Sequence, residues 1–275
     1  MAGTFQPINL KDALEFLHSQ NSLVLAGGTD FMLKRARMTR EDRPVLCVGH
    51  LEELHQIKIS GQELRIGAAC TLTQLLQSPL LPEYLKRPIA GMASPAIRNI
   101  ATIGGNICNA SPAGDALPML YALDAVLCLQ SALGVEELPI QDFILSPAKT
   151  CLGGNRLLGE IRVPLEQDWR CVYRKVGLRR ANSLSKLSFY ALARGRPERI
   201  EDVRIAFGAV APTVVRSREA ELEILEGMRI NDLQQAKDRY GRLIQPIDDA
   251  RSNRGYRRAV SLRLLEHFLR EEGFN

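Results

Sequence analysis

The sequence contains no two cysteines closer together than 20 residues. Its six (Cys47, Cys70, Cys108, Cys128, Cys151 and Cys171) fall at successive gaps of 23, 38, 20, 23 and 20. An iron–sulfur or zinc site normally brings two ligands within about two to four residues of each other. The chain is therefore expected to carry no cluster of its own, and its cysteines to be reduced, mostly buried small hydrophobes. No apolar run approaches the ~20 residues that span a bilayer. The opening stretch, Met1 to Leu17, lacks a signal peptide's charged and apolar regions. A soluble, cytoplasmic protein with no membrane span is expected. Aromatics are sparse, with 8 Phe, 6 Tyr and 1 Trp, and none is interleaved with basic residues as a base-stacking platform. Nucleic acid is not an expected partner. Neither the dinucleotide G-x-G-x-x-G nor the Walker G-x-x-x-x-G-K-[ST] pattern occurs, which argues against a Rossmann domain or a P-loop.

What is present is a globular composition: 275 residues, 45% hydrophobic and 24% charged, enough for one large domain or two ordinary ones. Charge is uneven. The first 150 residues hold 12 basic and 14 acidic side chains, and the remainder 24 and 17. The densest basic run, Arg170, Arg174, Lys175, Arg179 and Arg180, reads as a solvated face or a docking surface.

Periodicity predicts a short strand, then a helix over 10–17 capped by Asn9 with Asp12 as capping-box partner. A buried strand over 22–26 and a helical turn at Phe31–Leu33 follow. Further strands are expected over 44–48, 64–68, 125–129 and 203–210. Helices are expected from Thr71, over 117–122 and over 219–226, with an amphipathic helix in the 256–265 tail. Residues 88–101 form a helical or loop approach to a second glycine pair, and 147–162 read as loop-rich. The elements mix without strict strand–helix–strand alternation. The class is α+β, with a break near 164–168.

Two glycine pairs dominate. The first is Leu25-Ala26-Gly27-Gly28-Thr29-Asp30; the second is Thr102-Ile103-Gly104-Gly105-Asn106. A Gly–Gly step lets successive N–H groups point into one concavity and lets a ligand approach without a Cβ clash. With no Lys or Arg in either loop, two such nests cradling a pyrophosphate would rely on backbone dipoles. One pair alone is equally well a tight turn. Two pairs, followed by Asn109-Ala110-Ser111-Pro112-Ala113-Gly114-Asp115, call for a ligand.

These segments resemble the two FAD-binding signatures of the molybdenum hydroxylases, in the flavin-carrying medium subunits or domains of the xanthine dehydrogenase and aerobic carbon monoxide dehydrogenase type. The resemblance continues through Gly159-Glu160-Ile161-Arg162-Val163-Pro164 and Tyr173-Arg174-Lys175 to Tyr256-Arg257-Arg258-Ala259-Val260, and so covers nearly the whole chain. It implies a two-lobed FAD-binding domain of the vanillyl-alcohol-oxidase (PCMH-like) type over 1–167, with lobes of about 1–55 and 56–167. A smaller α/β C-terminal domain follows over 168–275. It also implies that Leu25 to Asp30 and Thr102 to Asn106 hold the pyrophosphate. Asn109 and Asp115 would bond the ribityl and nearby polar groups. Leu158 would offer its backbone to the flavin ring edge, and Lys175 would sit near the isoalloxazine, where a cation favours the anionic reduced ring. Met92 falls near the adenine position, and Tyr173 is a candidate for the ring face.

The sequence also departs from the family pattern. Residues 151–158 differ from the usual run, and the extra cluster-binding cysteine insertion of one subfamily is missing. No histidine lies in either loop (His50 and His55 read as helix-surface residues), so a histidyl flavin is not expected. Cys108 reads as a packed thiol. The FAD is therefore expected to be non-covalent. The implied role is electron transfer within a complex, from a molybdopterin-binding large subunit and a 2Fe–2S small subunit to an acceptor such as NAD⁺. No residue is a candidate catalytic acid or base, and no metal is expected. A scaffold of the same fold that has lost FAD is the alternative.

Overall fold

Asn9 accepts a hydrogen bond from Asp12 N (2.9 Å) and opens α1 (Leu10–Ser19), as the spacing predicts. The Asp12 carboxylate, however, accepts from Ile8 N and not from Asn9 N, so the box closes one residue further out. The computed structural model describes residues 3–35, 43–179, 183–196, 199–227 and 232–272. Arg180, the last of the basic run, lies outside them.

The remaining elements follow in order. The first group is β1 (Thr4–Phe5), β2 (Leu23–Leu25), α2 (Phe31–Arg35), β3 (Val45–Cys47), β4 (Ile57–Ser60) and β5 (Glu63–Gly67). Five helices come next: α3 (Leu72–Gln77), α4 (Glu83–Ala90), α5 (Pro95–Arg98), α6 (Ile103–Cys108) and α7 (Leu117–Ala122). Then come β6 (Val126–Ser131), β7 (Gly134–Pro139), α8 (Ile140–Phe143), β8 (Ile144–Ser146), β9 (Lys149–Thr150) and β10 (Leu157–Pro164). The last part holds β11 (Arg170–Gly177), β12 (Ser185–Arg196), β13 (Arg199–Gly208), β14 (Val215–Arg216), α9 (Arg218–Gly227), α10 (Asp232–Leu243) and α11 (Arg254–Glu271).

The chain forms two compact units. One comprises Met1–Pro82, Ala93–Ala110 and Asp124–Leu165; the other Glu83–Met92, Ser111–Leu123 and Glu166–Asn275. The first holds two sheets. β1-β3-β2 is parallel, and β1, α1 and β2 fall where the sequence reads a short strand, a helix and a strand. β2 is half-buried, not buried as its apolar run suggested. The second sheet, β4-β5-β10-β6-β7, is antiparallel. Its central strand β10 is the last in the sequence, which defines the unit by long-range pairing. Ala13, Leu17, Leu46, Leu51, Leu54 and Leu157 fill the core of the first lobe.

In the second unit β11-β12-β13-β14 is antiparallel. Leu187, Phe189, Ala191 and Ala193 face α9, α10 and α11, where Phe189, Phe207, Phe268 and Tyr240 stack with centroids 5.0–6.0 Å apart. The alternate positions meet α4 and α7. Pro88 inside α4 removes the N–H that would bond Tyr84 O. Tyr190 Oη donates to that carbonyl instead (3.1 Å). This explains why two short pieces of the N-terminal half join the second unit: α7 is buried at every position and lies against β12 and β13. The fold is α+β, and no helix among the described residues is long and apolar enough to cross a membrane.

Candidate functional site

The two glycine pairs meet in the first unit, and each glycine is there for a different reason. A Cβ on Gly27 would lie 1.8 Å from Ile100 O, so the end of β2 presses directly on the backbone that leads into α6. Gly28 has φ +75°, the left-handed region that starts the turn into α2. Gly49, which sequence reasoning did not single out, sits behind them; its Cβ would be 2.9 Å from Ala26 O. His55 Nε2 is 2.8 Å from Gly49 O and His50 Nε2 is 2.8 Å from Pro7 O, so both histidines brace loops and do not decorate a helix surface.

The second pair is not the loop that was expected. Gly104 and Gly105 lie in the first turn of α6, capped by Thr102 Oγ1, which accepts from Gly105 N at 3.1 Å. Neither has a left-handed φ. Their N–H groups are engaged: Ile103 N donates to Cys70 O (3.0 Å), Gly104 N to Ala68 O (2.9 Å) and Asn106 N to Thr102 O (3.0 Å). The expectation of a second open nest of backbone donors is thus corrected, because the helix start and the Ala68–Cys70 strip consume them. In the first loop, by contrast, Gly27 N, Gly28 N and Thr29 N make no hydrogen bond to any described residue.

Side chains tie the two segments together. Asn109 Nδ2 donates to Asp30 Oδ2 at 3.0 Å. Ala68 is the hub: its N–H donates to Gly159 O (2.9 Å) and its carbonyl accepts from Gly104, which links the Leu158–Gly159 bulge of β10 to α6. Leu158 itself is buried and paired with Leu129. Leu25, Ala26, Thr29 and Ile103 complete this neighbourhood.

Asp115 and Lys175 lie in the second unit. Lys175 Nζ bonds Asp115 Oδ2 at 2.7 Å and Gly91 O at 3.1 Å, and Ser185 Oγ donates to Asp115 Oδ1. Lys175 is therefore a half-buried, paired lysine rather than part of an open basic face. Arg170 is likewise engaged, with Glu272. Tyr173 Oη is buried without a partner among the described residues, and Met92 is buried.

The six cysteines are free; Cys70 and Cys128 are buried and the other four half-buried, so fewer are buried than expected. Burial pushes the Cys108 thiol up to about 12 and Cys70 to about 11. Among the described residues no group of His, Cys, Asp and Glu is placed to hold a metal ion.

Residues 1–166 match the family described as the FAD binding domain in molybdopterin dehydrogenase. The chain belongs to this family. Residues 172–272 match the CO dehydrogenase flavoprotein C-terminal domain, so the two matches together take in most of this FAD-binding chain. The glyceraldehyde dehydrogenase medium chain of Sulfolobus acidocaldarius is 31% identical over 262 residues, 92% of this chain and 91% of that one. The xanthine dehydrogenase FAD-binding subunit of Escherichia coli O157:H7 is 32% identical over 219 residues, 77% and 75% of the two chains. Among solved structures, reconstituted CO dehydrogenase from Oligotropha carboxidovorans superposes with a TM-score of 0.91 at 21% identity, over 100% of this chain and 99% of that one, which establishes a shared fold.

FAD fits what the first unit presents. Asn106 Oδ1 is a buried acceptor with no partner among the described residues, and an orphaned acceptor of this kind needs a donor such as a ribityl or ribose hydroxyl. Gly105 is exposed and side-chain-free beside it. The N–H groups of 27–29 suit an anionic phosphate.

Proposed function

We propose that this chain is the FAD-carrying, electron-transferring medium subunit of a molybdenum hydroxylase complex. Its partners would be a molybdopterin-binding large subunit and a 2Fe–2S small subunit. The flavin-binding module spans 1–167, and the C-terminal module 168–275. The observation that carries the reading is the junction of the two glycine segments in the first unit: Gly27 against Ile100, Asp30 bonded to Asn109, and the free donors of 27–29 beside the orphaned Asn106.

Within this reading Leu25 to Asp30 hold the phosphates through backbone N–H groups. Thr102, Ile103, Gly104 and Gly105 supply a close-packed floor, and Asn106 and Asn109 address hydroxyls. Leu158 contributes backbone at the β10 bulge. Lys175, held by Asp115, supplies a fixed positive group. When bound, FAD accepts and passes on electrons, a chemistry the protein's own side chains lack. The residues here bind, orient and exclude water. NAD⁺ is the proposed acceptor, and the cytoplasm the proposed compartment.

The test is purification of the chain followed by heat or acid denaturation. About one FAD per chain should be released into the supernatant. A chain that takes up no FAD on reconstitution would favour the scaffold alternative, and selective uptake of FMN would refute phosphate recognition by two segments.

A further inference from the structure

His55 is half-buried in the first unit, and both nitrogens of its ring point at oxygen atoms. Nε2 is 2.8 Å from Gly49 O, a backbone carbonyl that can only accept. Nδ1 is 3.2 Å from the side-chain oxygen of Gln74. That atom is identified as the oxygen by its other partner. Thr71 N donates to it at 2.8 Å, the return half of the capping box that opens α3. A neutral imidazole has one N–H and satisfies one of these acceptors, leaving a lone pair against the other. The imidazolium satisfies both.

The ring stands on a fixed base and reaches the back of the first glycine loop. Gly67 N donates to Gln56 O (2.8 Å) and Ala69 N to Leu54 O (2.9 Å), so the backbone on either side of His55 is pinned. Gly49 follows β3, whose end is tied to β2 by Val48 N donating to Leu25 O (2.8 Å). A Cβ on Gly49 would lie 2.9 Å from Ala26 O, so the turn that His55 holds is the one against which 26–30 packs. The charged groups on the surrounding elements are engaged or exposed. On the turn Glu52–Leu54, Glu53 accepts from Leu10 N and Glu52 is exposed. Lys58 on β4 is exposed and reaches Gln56 Oε1 (3.5 Å), while Glu63 and Arg65 on β5 pair with each other at 3.3 Å. His50 Nε2 lies against Pro7 O, Cys70 Sγ donates to Gln56 O, and α3 bears no charged residue.

We propose that His55 is a positioning residue for the first glycine loop: in its doubly protonated form it ties Gly49 to α3, and FAD binding therefore tightens as the ring takes up its second proton. The proposal rests on the FAD reading above. The two bonds exist only in the folded chain, so their contribution is whole while the ring is protonated and is lost as pH rises.

Its test is FAD titration of the full chain, with thermal melting of the flavin-free chain alongside, between about pH 5.5 and about pH 8. The wild-type Kd for FAD should rise about fivefold across that range, and the flavin-free Tm should fall with it. His55→Gln should lose that part of both pH slopes. Gln74→Glu keeps the capping box and sets a carboxylate against Nδ1, which favours the imidazolium; both curves should move to higher pH. Equal slopes in the wild type and His55→Gln overturn the proposal, and so do unmoved curves in Gln74→Glu. A pH-dependent Kd with no matching change in the flavin-free Tm also overturns it, because the ring would then act as a distant charge and not as a brace. A wild-type chain that binds no FAD at any pH would instead defeat the reading on which the proposal rests, while the melting curves still decide whether His55 makes both bonds.

Discussion

A single methyl group added at Gly104 or at Gly105 should separate packing from ligand binding. At Gly104 the new Cβ would lie 2.6 Å from Ala68 O and 2.7 Å from Ala68 Cβ. Unstrained carbon contacts sit near ~3.5 Å, so α6 must retreat from the Ala68 strip by close to an ångström. Overpacking of this kind costs about 1–3 kcal/mol. The Gly104 N–Ala68 O bond, about 1 kcal/mol, weakens with it, and the better helix propensity of alanine returns about 1 kcal/mol. Gly104→Ala should therefore destabilise the flavin-free protein by about 2 kcal/mol, a fall of roughly 4–8 °C in Tm. At Gly105 the Cβ meets only Thr102 Oγ1, at 2.8 Å. That hydroxyl can rotate away at the loss of a cap bond of about 1 kcal/mol, which the propensity gain offsets. Gly105→Ala should leave Tm unchanged but, with FAD placed as proposed beside this exposed glycine, raise the Kd for FAD at least tenfold, about 1.4 kcal/mol. Gly154→Val is the control, its Cβ meeting only the Asn21 side chain, 3.3 Å from Oδ1; it should keep its flavin. The assays are thermal melting by circular dichroism and FAD titration by fluorescence quenching. An unchanged Tm in Gly104→Ala would refute the backbone contact, and unchanged FAD affinity in Gly105→Ala would remove the second segment from the site.

Glu221 is fully buried and accepts from Ile205 N, Arg216 and Arg218; Glu221→Gln removes the buried charge that these two arginines share and should cost about 3–5 kcal/mol in urea unfolding. Burial raises the Asp202 carboxyl, but bonds from Arg218 and Arg204 outweigh it and hold the group below its usual range. Its stabilising contribution is therefore complete above the unfolded carboxyl value near ~3.9 and is lost as pH falls through the lower folded one. Asp202→Asn should flatten the fall in Tm between about pH 5 and pH 3 relative to wild type, and an unaltered slope would count against the pairing. At pH 8, Cys70 and Cys108, with thiols near 11 and 12, should alkylate on the order of a hundredfold or more slowly than an exposed cysteine. All six should label in denaturant, and rapid labelling of Cys108 in the native protein would contradict its raised thiol.

Local chemistry made much of the first unit legible. Asn9 and Thr71 cap helices where their spacing requires, because an N-cap involves residues only three apart. Leu23–Leu25, Val45–Cys47 and Val126–Ser131 are strands that their apolar runs announce. β12 was missed, although Phe189 to Ala193 form a continuous apolar stretch; read without its partners, such a run is equally strand or helix.

By itself the sequence carried the resemblance of the two glycine pairs and the long motif after the second to an FAD-binding family, because such motifs are runs of consecutive residues that need no folded neighbours to be read. Tertiary structure decided what each glycine does. Gly27 admits Ile100, Gly28 takes a left-handed turn, Gly104 admits Ala68, and only Gly105 is left facing outward. It also decided that Lys175 is a half-buried partner of Asp115, and that Ser185 bonds the same carboxylate. Those contacts join residues 60 and 70 positions apart. No local pattern encodes them, because the pairing exists only once β11, β12 and the 111–123 segment have packed into one unit.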